Sequence, residues 1–163
     1  MNNRQAELDA FKKGLEDYVF PTAKAAGLIC EKIDEELYSL VAPTFALKFY
    51  CAGGLGYSYG VTVSPTYQPK WNAEDERGLT WLAKYLKKKM PENSRFDNLK
   101  IFVRHMADLS KQLPDYFEIL KAADSSFWKT FLNDVQEEIS KKPKPDWWDW
   151  IQKLNVSSRQ RAF

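Results

Sequence analysis

A chain of 163 residues, 28% of them charged and 44% hydrophobic, has the composition of one ordinary globular domain and not of a disordered segment. A formal net charge of +2 and a sequence pI of about 8.4 argue against a uniformly basic nucleic-acid binder. No apolar run approaches the ~20 residues of a membrane span, and the mixed-charge N-terminus is unlike a signal peptide. The expectation is a cytoplasmic, soluble protein without a membrane partner.

Leu8, Phe11, Leu15, Tyr18 and Val19 recur at helical spacing and predict a first helix that stops before Pro21. A second stripe, Ala26, Ile29, Cys30, Ile33, Leu37, Leu40 and Val41, predicts another helix ending at Pro43. Residues 44–64 read differently. Phe45, Leu47, Phe49 and Cys51 alternate with their neighbours, as do Tyr57, Tyr59, Val61 and Val63, with Gly53, Gly54, Gly56 and Gly60 clustered near the turn. That pattern predicts a β-hairpin or small antiparallel sheet.

Further along, Asn72 and Asp75 resemble an N-terminal cap, with Lys87, Lys88 and Lys89 closing the last turn of a helix. Another helix is expected from Ser94 to Leu113, and Pro114 suits the first turn of a short one through Leu120. Asp124 or Ser125 caps a segment with Phe127, Trp128, Phe131, Leu132, Val135 and Ile139 on one face. After the linker-like "KKPKPD", residues 143–163 predict a Trp-rich helix capped by Asp146 and a basic tail, docked on the domain. The whole is read as a single α+β domain, 1–163, mainly α-helical, with five to seven helices and one hairpin or small antiparallel sheet near 44–64.

Chemistry-bearing motifs are sparse. His105 is the single histidine, and with Asp108 at i+3 it supplies at most two metal ligands. The glycines are spaced GxGxxxG, with no helix start and no P-loop lysine after them, so a turn explains them better than a phosphate cradle. No GxSxG element is present. Glu31 and Glu35 sit at ordinary helical-surface spacing, and Cys30 and Cys51 read as reduced core thiols, with a disulfide between them as the alternative. No catalytic residue, metal site or cofactor is assigned.

Binding surfaces are better represented. The hairpin offers Tyr57 and Tyr59; a helix face offers Arg77, Trp81, Lys84 and Lys88; and Trp148 lies off the Trp147, Trp150, Ile151 and Leu154 stripe. The leading expectation is a non-enzymatic protein-binding protein, of the small inhibitor, immunity or antitoxin type. The alternative is nucleic-acid binding through the basic and aromatic helix face.

Overall fold

The computed structural model describes residues 3–53, 56–72, 74–90 and 95–142. Asn3 caps the first helix, its side chain accepting from Ala6 N at 3.1 Å. Helix α1 (Arg4–Gly14) passes through a π-helical segment (Leu15–Val19) into α2 (Phe20–Ala25) without a break. The expected stop before Pro21 is therefore wrong. A proline in a helix lacks one donor and crowds the carbonyl four residues back, and the wider π turn just ahead of Pro21 relieves that crowding. The rod ends at Gly27, whose φ of +84° permits a Schellman closure: Gly27 N donates to Lys24 O at 3.0 Å and Leu28 N to Ala23 O at 2.9 Å.

That closure overturns the helix expected over residues 26–41. The segment is instead a hairpin of β1 (Ile29–Asp34) and β2 (Leu37–Val41). Asp34 turns it, its carboxylate accepting from Glu36 N at 2.7 Å, and the β-branched Ile29, Ile33 and Val41 suit strands better than helix.

The expected hairpin is present as β3 (Ala46–Cys51) and β4 (Tyr59–Ser64), with Leu47 opposite Val63 and Phe49 opposite Val61. It is the middle of a larger structure, a five-stranded antiparallel sheet in the order β1-β2-β3-β4-β5, where β5 is the short Arg77–Gly78. The helix expected from Asn72 does not form there. The Asn72 side chain accepts from Glu74 N at 2.9 Å in a turn, the chain then joins the sheet at β5, and α3 (Leu79–Tyr85) starts only afterwards.

Helix α4 (Leu99–Ala122) begins at an Asn98 cap and runs through Pro114, correcting the break expected at that proline. Its buried stripe of Phe102, Met106, Leu109, Leu113 and Phe117 holds the rod on the core and outweighs the one missing backbone bond. Helix α5 (Ser125–Lys141) is capped by Asp124, one of the two expected candidates, with Phe127 N at 2.8 Å from the carboxylate.

The protein is thus α+β. Counting the continuous first rod once, it has four helices among the described residues, fewer than the five to seven expected, and a sheet larger than one hairpin. One face of that sheet, with Tyr38, Leu40, Leu47, Phe49 and Val63, is buried under α1 and α4. Phe11 meets Tyr38 edge-on at 5.8 Å, Tyr59 meets Phe102 at 5.6 Å, and Phe45 stacks on Phe117 at 6.2 Å. Fully burying each such ring contributes about 1.5–3 kcal/mol, so this face is the main source of stability. The predicted Trp-rich helix of residues 143–163 lies outside the described residues.

Candidate functional site

Strand alternation sends every second side chain to the other face, away from α1 and α4. The register aligns Glu31, Ser39, Lys48, Thr62 and Gly78 in one row across all five strands. A lysine in the centre of a sheet needs acceptors, and the segment after β4 folds back to supply them. Lys48 Nζ donates to Glu76 Oε2 at 3.0 Å and to Lys70 O at 2.7 Å. The same carboxylate accepts from Asn72 N at 3.0 Å and, in a short bond, from the Thr62 hydroxyl. With the two side chains only 5% and 2% exposed, this ion pair is fully desolvated.

A buried pair of this kind gains little stability over apolar side chains of the same volume, because desolvation offsets the attraction. Its geometric effect is larger. Three polar contacts pin residues 70–76 to β3 and β4, a fourth braces the segment internally, and Tyr67 reaches Glu31 of β1, whose carboxylate pushes the phenol pKa up.

The pinned segment holds Trp71 outward, at 69% exposure. Beside it stands Tyr50, 42% exposed, whose ring lies flat over Gly60 on the neighbouring strand. A Cβ at Gly60 would fall 2.1 Å from Tyr50 Cζ, so only glycine allows that ring position. Trp71, Tyr50, Leu37 and the stems of Lys48, Thr62 and Glu76 line a recess of about 330 Å³. Six large hydrophobic side chains are exposed among the described residues, and three of them, Ile29, Tyr50 and Trp71, belong to this outer side of the sheet.

The residues expected to bind are distributed otherwise. Tyr59 is buried at the inner face, where its phenol hydrogen-bonds His105 Nδ1 at 2.7 Å and burial raises its pKa. Tyr57 is half-buried, its backbone bridged to Phe96 by bonds of 2.9 and 2.8 Å. The tyrosine-bearing face of the hairpin is therefore the core face. Trp81 is half-buried between the ammonium groups of Lys84 and Lys142, 5.5 and 5.0 Å from its ring. Lys84 also reaches Glu138 on α5 at 3.5 Å, Lys88 lies over Tyr116 at 5.9 Å, and Arg77 Nη1 donates to Glu76 O at 2.9 Å. These contacts spread Arg77, Trp81, Lys84 and Lys88 over three local environments. Trp148 lies outside the described residues.

His105 and Asp108 do not meet over a substrate-sized cavity. The recess beside His105 is about 90 Å³, well under the roughly 300 Å³ at which ligand pockets begin, and Asp108 lies 3.8 Å from Lys111. Among the described residues no cluster of three metal-ligating side chains occurs, no helix is long and apolar enough to cross a membrane, and Cys30 and Cys51 are free thiols.

Compared with protein-family models, curated proteins and solved structures, the chain has no significant match. The site's chemistry therefore rests on its own geometry. Every polar group of the ion pair is engaged by protein partners, and what faces outward is aromatic.

Proposed function

We propose that this chain is a non-enzymatic protein-binding protein whose partner docks on the outer face of the sheet, around Trp71 and Tyr50. The observation that carries this reading is a solvent-exposed tryptophan whose backbone neighbours, Lys70 and Asn72, are tied to a buried ion pair. Tryptophan and tyrosine are the side chains most enriched at the centres of interfaces. Anchors that are already ordered lose less entropy on binding, so a pinned Trp71 binds better than a floppy one. A small inhibitor, immunity or antitoxin-type protein works by such capture and requires no catalytic group. The free thiols of Cys30 and Cys51 are in keeping with a reducing, cytoplasmic setting.

Nucleic-acid binding through the α3 strip is less well supported, because Lys84 and Lys88 already face Glu138 and Tyr116. The test is affinity capture from the source cell with the wild-type chain and with Trp71→Ala. The reading expects a protein retained by the wild type and lost by the variant, while both melt at the same temperature. Identical retention by two equally folded baits would remove Trp71 from any interface.

A further inference from the structure

On the opposite side of the molecule, residues of the first helical rod and of α4 line a groove of about 670 Å³. Its floor is the i, i+4, i+8 row of Leu99, Val103 and Ala107 on α4, all half-buried. Lys100 and Arg104, one turn apart on the same helix, form one bank; Lys13 and Tyr18 form the other. Two exposed apolar side chains border it, Ile101 at 51% and Tyr18 at 39%. Tyr18 stands in the π-helical segment, a rare distortion that recurs at functional sites.

Charge and backbone chemistry together select the occupant. No carboxylate lines the groove, and although Lys13 pairs with Asp17 at 3.1 Å, Lys100 and Arg104 have no ion pair among the described residues. The lining is apolar below and cationic at the rim, so its complement is apolar with acidic flanks. Both walls are helical, so their backbone groups are already used and an added strand would find nothing to pair with. The occupant must satisfy its own backbone, which makes it a helix. A flat bilayer fits poorly, because the floor of a concave groove is reached by a rod and not by a plane.

We infer that the groove between the first helical rod and α4 binds an acidic amphipathic helix of a partner protein. Its apolar stripe lies on Leu99, Val103 and Ala107, with Ile101 at the rim beyond the cations, and carboxylates one turn apart meet Lys100 and Arg104. This surface is separate from the Trp71 face, so either can fail without the other.

The test places the photo-crosslinker p-benzoylphenylalanine at Ile101 of the full chain in the source cell, with Ile139 on α5, also exposed, as the control position. A crosslink at 101 and not at 139 is expected, mapping to a peptide with an apolar helical stripe and acidic residues four apart. Lys100→Glu with Arg104→Glu should lower its yield by at least about tenfold, since like charges then face each other, and lysines at the partner's acidic positions should restore it. If circular dichroism finds the reversed variant unfolded, Lys100→Gln with Arg104→Gln replaces it and should weaken the crosslink in the same direction. The inference is overturned by no crosslink above the control, by a crosslink to lipid, nucleic acid or a basic segment, or by a yield indifferent to these substitutions in a folded chain.

Discussion

Lys48→Met tests whether the buried ion pair is what clamps residues 70–76 to the sheet. Methionine keeps the length and apolar stem of lysine but removes the charge, leaving the Glu76 carboxylate buried with only the Thr62 hydroxyl and Asn72 N as donors. Stranding one member of a desolvated pair costs about 3–5 kcal/mol, whereas replacing both with apolar groups is close to neutral or better. Lys48→Met alone should therefore be strongly destabilising. The double variant Lys48→Met/Glu76→Leu should come back to within about 1 kcal/mol of the wild type or exceed it, a coupling of about 5 kcal/mol or more when each single loss is at least about 3. With a urea slope of about 2 kcal/mol/M, the single variant's midpoint falls by about 1.5–2.5 M. Urea titration followed by circular dichroism measures this, and trypsin cleavage after Lys70 should speed up in both variants as the clamp is lost. A loss under about 1 kcal/mol in the single variant, or a double variant as unstable as the sum of the singles, would refute the reasoning.

Other consequences follow from single contacts. Tyr59→Phe deletes the hydroxyl bonded to His105 and should cost about 1 kcal/mol, lowering Tm by about 2–4 °C in a thermal melt. Lys87 closes α3 at φ 55°, with Lys88 N bonded to Ala83 O at 2.8 Å, a position where a side chain is strained. Lys87→Gly should therefore raise stability, by up to about 1 kcal/mol, and an unchanged or lower Tm would contradict the strain. Burial pushes the Cys51 thiol up to about 12 from 9.0 and raises the phenols of Tyr38, Tyr59 and Tyr116. These acids ionise first in the unfolded chain, so the stability they contribute is complete below pH about 9 and is lost as pH climbs through about 12. Melting temperatures recorded between pH 8 and 11 should fall, and a flat profile would rule this linkage out.

What the sequence made legible were the features set by short-range periodicity. The alternation around Phe49 and Val61 located the central hairpin, and the 3.6-residue stripes located α4 and α5 with the Asp124 cap. Residues 26–41 misled because Ile29, Ile33, Leu37 and Leu40 satisfy a helical spacing as well as an extended one. Only Gly27 at positive φ and the Asp34 turn decide between them. Pro114 misled in the opposite sense, since tertiary burial of its helix outweighs a local breaker. The proposed docking face was not legible in the hairpin's alternation. Tyr57 and Tyr59 were candidate contacts because of residue type, and alternation alone leaves open which side of the hairpin is covered. Tyr59 shares its face with its cross-strand partner Cys51 and with Phe49 and Val61, all core, while the polar row of Lys48 and Thr62 marks the other side. Trp71 carried no local signal, because its placement depends on Glu76 reaching Lys48 across 28 residues of chain.

The partner is expected on the outer, Trp71-bearing side of the sheet and not on the Tyr57 face. Once the captured protein is purified, binding isotherms with the wild type, Trp71→Ala and Tyr57→Ala decide it. The prediction is an affinity at least about 30-fold weaker for Trp71→Ala, the loss of about 2 kcal/mol that marks a central anchor, and little change for Tyr57→Ala. An unchanged Trp71→Ala beside a weakened Tyr57→Ala would contradict it.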